Sequence, residues 1–350
     1  MRAHRGCDSS RPLSKEHTRA VRSTHDECSL TAFIFMNLIS RLAKKTGQTE
    51  QEVEKTLTSG CRKYKVFTIP KRKGMGRRVI AQPSKDLKLL QRAFIELYPF
   101  PLHNCVQSYR PGIGIRDNAL PHVNHRFLLK TDLQNFFPSI KPTLFWQELD
   151  RNTELPYRDE LRNSKHWVEE LLFWRPSSHI SGKLVLSIGA PSSPVVSNFC
   201  LNSFDEALNA LCKQNNVTYT RYADDLTFST NEAGKLSFIY QRLKYLLRSE
   251  CPSLTLNESK TVFASKRTNR HVTGLVLNNE GNLSLGRQKK RYIKSMLYHV
   301  VNGTLNNKDL SWLSGYLNFI AYADPAFLFS LERKYSPEVL KKIQRGGANG

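Results

Sequence analysis

Apolar positions along this chain fall into two kinds of rhythm. A helical period runs through Leu38, Ile39 and Leu42, just after Met36, and again through Leu87, Leu90, Phe94 and Leu97. It is clearest over 236–250, where Leu236, Ile239, Tyr240, Leu243, Leu246 and Leu247 share one face. Residues 193–212 predict one further helix, with Val196, Phe199, Cys200, Leu208 and Leu211 apolar. Between these lie shorter stretches that predict strands. Residues 64–80 read as a strand, a basic glycine-containing turn and a second strand ending at Pro83. Residues 127–132 form an apolar strand closed by an acid, and 219–229 predict a hairpin. The last 65 residues, 286–350, predict two or three helices and a frayed tail. Residues 1–29 show no apolar period and no signal-peptide core, which predicts a disordered basic leader up to about residue 37, dispensable for chemistry. No internal repeat is visible.

Charge sharpens this picture. The chain has 350 residues, 53 Lys and Arg against 30 Asp and Glu, hence 53 − 30 = +23. Solubility alone needs a net charge of only about 2–8, so an anionic partner is implied, and nucleic acid is the default. The excess is concentrated: residues 61–92 hold eleven Lys or Arg and one acid, and 286–350 hold eleven bases and four acids. No run of about 18 apolar residues exists to cross a membrane. The seven cysteines are an odd number without a C-x-x-C pair, which argues against a disulfide framework or a zinc site and for a cytoplasmic location. His122 and His125 form an isolated H-x-x-H without acidic or cysteine companions at ligand spacing.

The chemistry-bearing pattern is Tyr222, Ala223, Asp224, Asp225, flanked by Tyr219 before and Leu226 and Phe228 after. A hairpin turn pushes the two acids to the tip of a sheet, where their mutual repulsion calls for a cation. Asp132 ends another predicted strand, and three carboxylates on adjacent strands could hold two divalent ions for in-line phosphoryl transfer. An aspartate pair in a loop is more commonly just a solvated turn, so spacing alone does not decide.

The order of motifs does. The Tyr222–Asp225 tetrad, the segment 131–140 around Asp132, and Gly189, Ala190, Pro191, Ser192, Ser193, Pro194 resemble the catalytic motifs of reverse transcriptases. Asn118, Ala119, Leu120, Pro121, His122 is similar to the N-A-x-x-H element of retron reverse transcriptases, and Val272, Thr273, Gly274 to their V-T-G element. The resemblance covers roughly 38–335, with one departure: many relatives carry Gln where Ile188 stands. It implies an α+β right-hand fold: fingers over 38–126 and 141–185, an antiparallel palm sheet backed by helices over 127–140 and 186–285, and a helical thumb and tail over 286–350. It implies that Asp132, Asp224 and Asp225, helped by the Leu133 carbonyl, hold two Mg²⁺ ions. Phe137 would gate the sugar, with Phe136 as rival. Arg78, Lys71 and Arg77 would cradle the triphosphate. Gly189, Ala190 and Pro191 would position the nucleotide, and Lys260 would protonate pyrophosphate. Asn118, His122, Val272, Thr273 and Gly274 would meet RNA, with Arg287, Lys290, Arg291 and Lys294 on the thumb. The implied activity is RNA-directed DNA synthesis on a cognate structured non-coding RNA. Priming would come from an internal guanosine 2′-OH and give a branched RNA-linked single-stranded DNA (msDNA) in anti-phage defence. The implied partners are dNTPs, a separate effector protein and a host ribonuclease H. A group II intron type would show a maturase or endonuclease extension, and an inactive RNA-binding scaffold would lack part of the acid set.

Overall fold

The computed structural model describes residues 37–71, 76–179 and 182–346. The expected leader therefore lies outside the described residues except for Asn37, as do the hairpin tip at 72–75 and the last four residues. The described chain opens with helices α1 (Leu38–Thr46) and α2 (Glu50–Leu57), the latter closed by a reciprocal capping box between Thr49 and Glu52. The basic ribbon follows as predicted, β1 (Tyr64–Pro70) against β2 (Arg77–Pro83), antiparallel with Ile69 opposite Arg78. Then come α3 (Lys85–Leu97), the short α4 (Ile115–Ala119) with a 3₁₀ turn at Leu120–His122, and β3 (Phe127–Asp132).

After β3 the chain runs through α5 (Phe136–Ser139), α6 (Pro142–Arg151), α7 (Arg158–Asn163) and α8 (Lys165–Leu172). The single helix expected over 193–212 is two, α9 (Ser193–Cys200) and α10 (Asn202–Gln214). The break has a physical cause: the buried Glu148 carboxylate of α6 accepts from the Ser203 N–H at 3.2 Å and the Ser203 hydroxyl at 2.9 Å, capping a fresh helix start. Next come β4 (Thr218–Tyr222), β5 (Asp225–Thr230), α11 (Lys235–Glu250), β6 (Val262–Ser265), β7 (Arg270–Val272), β8 (Leu275–Leu277) and β9 (Leu283–Ser284). The tail holds four helices rather than two or three: α12 (Arg287–Val301), α13 (Asn307–Ala323), α14 (Pro325–Tyr335) and α15 (Pro337–Gly346). Pro325 and Pro337 supply the extra breaks, each starting a helix where its missing N–H costs nothing.

The central sheet is antiparallel in the order β4-β5-β3-β6, and a second small sheet runs β7-β8-β9. On the central sheet Tyr219, Arg221, Leu226, Phe228, Leu129 and Thr131 turn one way and are all buried. Tyr219 and Phe228 stack at 4.9 Å, and the Tyr219 hydroxyl reaches Asp205 of α10, so this face lies on the helical layer. Each buried Leu or Phe here contributes about 1.5–3 kcal/mol. The other face carries Asp132, Lys130, Asp225 and Thr227. A second core joins Ala119, Val123 and Leu128 to Val272, Leu275 and the tail helices. The five cysteines among the described residues are buried free thiols, and no described helix is long and apolar enough to cross a membrane.

Candidate active site

The register of the central sheet assembles the acids. Asp132 pairs directly with Asp225 across β3 and β5. Tyr222 pairs with Asp225, leaving only Ala223 and Asp224 in the turn. Ala223 sits at φ +56°, a left-handed conformation that costs a non-glycine residue about 1–2 kcal/mol. Its surroundings enforce it: Ser108 Oγ accepts from the Ala223 N–H at 2.8 Å, and Arg221 Nη1 donates to the Ala223 carbonyl at 3.1 Å. The Leu133 N–H donates to the Asp224 carbonyl at 2.9 Å, tying the end of β3 to the same turn.

Arg221 itself is fully buried and paired with Asp205, its Nη2 2.6 Å from Oδ2 and its Nε within 3.0 Å of both carboxylate oxygens. Asn198 Oδ1 takes another of its protons at 3.1 Å. The turn therefore rests on Arg221, Asp205, Asn198 and Ser108, none of which the sequence reading singled out. An arginine between Tyr219 and Ala223 on the inward phase of a strand was the available signal.

The carboxylates are crowded. Burial, and the charge of Asp132, hold Asp224 above the usual carboxylate range, against its own backbone N–H, Lys260 and Arg78. Burial and then the Asp224 charge push Asp225 up to about 6. Lys260 Nζ lies 2.6 Å from Asp132 Oδ2, and that hydrogen bond raises the lysine's pKa. Asp132 Oδ1 is buried with no protein donor. As the side chains stand, the described acids do not converge on one point, and Asp132 turns one oxygen to Lys260. The donor set nevertheless fits a divalent cation: Asp132 and Asp225 paired with Asp224 beside them in the turn, two of the three destabilised as anions, and one buried carboxylate oxygen that no protein donor reaches.

The residues expected on the nucleotide side are placed unevenly. Arg78 lies near enough to Asp224 to stabilise its anion. Arg77, one position along β2, instead donates from Nε to Thr68 Oγ1 at 2.7 Å, and the Lys71 N–H bonds the Gly76 carbonyl. Gly189 has φ +128°, and a Cβ there would sit 3.0 Å from the Ala81 carbonyl oxygen, so only glycine lets this loop lie against β2. The Ile188 carbonyl accepts from the Ala81 N–H at 3.0 Å. Ala190 is buried and Pro191 half-buried. Of the two rings, Phe136 is buried and Phe137 half-exposed, 5.3 Å apart. Tyr109, at φ +58° and 47% exposed, is a further neighbour of Asp224 that the sequence did not flag.

The residues expected to meet RNA differ in exposure. Asn118, His122 and Val272 are fully buried in the chain as it stands. His122 instead bonds Ser229 and Thr220, and burial drives its pKa down to about 3. Thr273 is half-buried and donates to the Ile115 carbonyl, which leaves Gly274 as the exposed member of its element. Lys290 pairs with buried Asp324 at 2.8 Å and lies over the Phe327 ring, so it serves the helix junction rather than the surface. Arg287, Lys289, Arg291 and Lys294 are exposed.

Comparison with known proteins agrees with this geometry. Residues 69–277 match the family model described as reverse transcriptase (RNA-dependent DNA polymerase). The chain is 42% identical over 290 residues to the Retron Ec83 reverse transcriptase of Escherichia coli, covering 82% of this chain and 91% of that protein. It is 34% identical over 284 residues to the Retron Ec73 reverse transcriptase of the same species, covering 79% and 88%. Among solved structures, telomerase from Candida albicans aligns with a TM-score of 0.44 at 13% identity, over 81% of this chain and 63% of that one. With Asp132 and Asp225 in register on one sheet, Asp224 beside them in the turn, and matches of this extent, the chain belongs to the reverse transcriptases, and within them to the retron type, as an RNA-directed DNA polymerase with the right-hand fold of that family.

Proposed function

We propose that the enzyme copies part of one cognate structured RNA into single-stranded DNA, priming from an internal guanosine 2′-OH so that the product stays branched to its template as msDNA. The observation that carries the catalytic part is the direct pairing of Asp132 with Asp225, with Asp224 beside them in the turn. In this reading Asp132, Asp224, Asp225 and the Leu133 carbonyl hold two Mg²⁺ ions. When bound, such ions activate the attacking hydroxyl and neutralise charge on the leaving oxygens. Lys260, held protonated by its contact with Asp132, delivers a proton to departing pyrophosphate. Arg78 takes the triphosphate of the incoming dNTP, with Lys71 and Arg77 beside it, and Gly189 to Pro191 let the base pair approach. Phe137 lies under the sugar. The fingers span 38–126 and 141–185, the palm 127–140 and 186–285, and the thumb 286–350.

The wider role extends the same reading, with the likeness to retron reverse transcriptases in its support. The branched product belongs to an anti-phage system with a separate effector protein, a host ribonuclease H trims the RNA, and the work is cytoplasmic. Sequencing the nucleic acid that copurifies with the protein identifies the RNA and its branch point; recovery of unbranched or unrelated RNA alone overturns that part. For the chemistry, Asp225→Asn is expected to abolish Mg²⁺-dependent primer extension while RNA binding persists. Normal extension by that variant overturns the metal-site assignment.

A further inference from the structure

Residues 114–125 lie where three parts of the molecule meet, and they bond to each. Toward the central sheet, His122 Nδ1 is 2.6 Å from Ser229 Oγ on β5 and its Nε2 is 2.8 Å from Thr220 Oγ1 on β4. His125 Nδ1 reaches the same Ser229 oxygen at 2.7 Å. A neutral imidazole offers one donor and one acceptor, so one ring clamps both strands of the hairpin. The register puts Thr220 opposite Thr227, two residues behind Asp225, and Ser229 two further on. Both hydroxyls are therefore on the sheet face that carries Asp132 and Asp225. Either could have packed against an apolar side chain in an ordinary core; here each is satisfied by a fully buried ring.

Toward the small sheet, the buried Arg270 of β7 donates to the Val123 carbonyl at 3.4 Å and to the His125 carbonyl, while Thr273 Oγ1 donates to the Ile115 carbonyl at 2.9 Å. Toward the tail helices, the Tyr322 hydroxyl of α13 accepts from the Arg116 N–H at 3.2 Å and donates to Asp117 Oδ2 at 3.0 Å. The same carboxylate caps α4 by accepting from the Gly114 N–H at 2.8 Å. A Cβ at position 114 would lie 2.4 Å from the Tyr322 hydroxyl, so the ring docks into space that only glycine leaves.

We propose that residues 114–125 are a positioning block that couples the seat of the thumb to the catalytic hairpin, with His122 fixing the hairpin and Tyr322 latching the thumb. The block that carries the N-A-x-x-H element and the V-T-G element then act as one joint, meeting where Thr273 bonds Ile115, three residues before Asn118. The idea rests on reading the Asp224–Asp225 hairpin as catalytic. A displacement of about 1 Å at reacting atoms can cost about a hundredfold in rate, so a hairpin freed from its clamp should lose turnover rather than nucleotide affinity.

The experiment uses the full chain on a supplied primer–template, with turnover expressed per active molecule after titration of extendable sites. His122→Leu keeps the volume and removes both bonds; it is expected to lower single-nucleotide kcat about tenfold or more with KM for dNTP within about twofold. His122→Asn, too short to span both hydroxyls, guards against a folding failure and is expected to lose kcat likewise. His122→Gln, which can present a donor and an acceptor further out, is expected to recover most of it. Tyr322→Phe is expected to leave the first addition unchanged and to cut the number of nucleotides added per binding event. Wild-type kcat in both His122→Leu and His122→Asn, with only a lower Tm, overturns the clamp. Unchanged processivity in Tyr322→Phe overturns the latch. Activity surviving in Asp225→Asn would instead overturn the reading of the hairpin on which the block depends.

Discussion

Phe136 and Phe137 are neighbours in sequence with opposite fates: the first is buried in the core, and the second keeps part of its ring at the surface beside the acids' strand. The second is therefore the ring proposed to stand under a sugar. Phe137→Ala should raise ribonucleotide relative to deoxynucleotide incorporation, measured by competing rNTP with dNTP; a change confined to Phe136→Ala would assign the gate to the other ring. His122 makes a different kind of prediction. Its folded pKa, near 3, lies far below the unfolded value of about 6.5, so the unfolded chain gains the proton first. Stability linked to this ring is intact above about pH 6.5 and declines as pH falls toward 3, by roughly 2 kcal/mol at pH 5. Denaturant titrations at pH 7.5 and 5 should show that difference shrink in His122→Gln. An equal pH dependence in wild type and variant would mean that the ring is not held neutral. The three aspartates stood out through the order of motifs resembling those of reverse transcriptases, not through an acid pair at a strand end alone. His122 was legible as a residue but not as a role, because its partners Thr220 and Ser229 lie 98 and 107 positions away.

The hairpin that carries Asp224 and Asp225, as an element, is stabilised chiefly from behind. A turn with Ala223 at positive φ persists because Arg221 and Ser108 hold both its polar groups, and Arg221 is held by Asp205. Removing one partner of a buried ion pair strands the other charge. Asp205→Ala is expected to cost about 3–5 kcal/mol, read by chemical denaturation, and to lower turnover in the protein that remains folded. A variant as stable as wild type would show that Arg221 finds another anion. Strand and helix limits were largely legible from the two periods. The misreadings came where tertiary contacts intervene: Glu148 caps a new helix at Ser203, and prolines divide the tail. The first is invisible to periodicity, because the capping Glu148 lies 55 positions from Ser203.

At the scale of the whole molecule, a surplus of 53 − 30 = +23 charges calls for an anionic partner, and the start of α12 is one place where bases stand in a row to offer it a surface. Not every base there is free for that task. Lys290 is bound to Asp324, which also accepts from the Leu285 and Phe327 N–H groups, so this lysine neutralises a buried carboxylate at the junction of α12 and α14. Lys290→Gln should lower stability by about 1–3 kcal/mol. Arg287, Lys289 and Arg291, by contrast, are exposed at the start of α12, and Arg287 and Arg291 stand one turn apart, suited to follow a phosphate backbone. Replacing these three with Gln should remove about three phosphate contacts. At about 0.7–0.9 per contact, the slope of log affinity against log salt should fall by roughly two and a half. Synthesis primed on the cognate RNA should drop, while extension of a supplied primer at high concentration continues, because Asp132, Asp224 and Asp225 are untouched. Salt titrations of RNA binding by the triple variant and by Lys290→Gln separate the two kinds of lysine and arginine: an unchanged slope in the triple variant would make that row a solvated surface and move the RNA to another face.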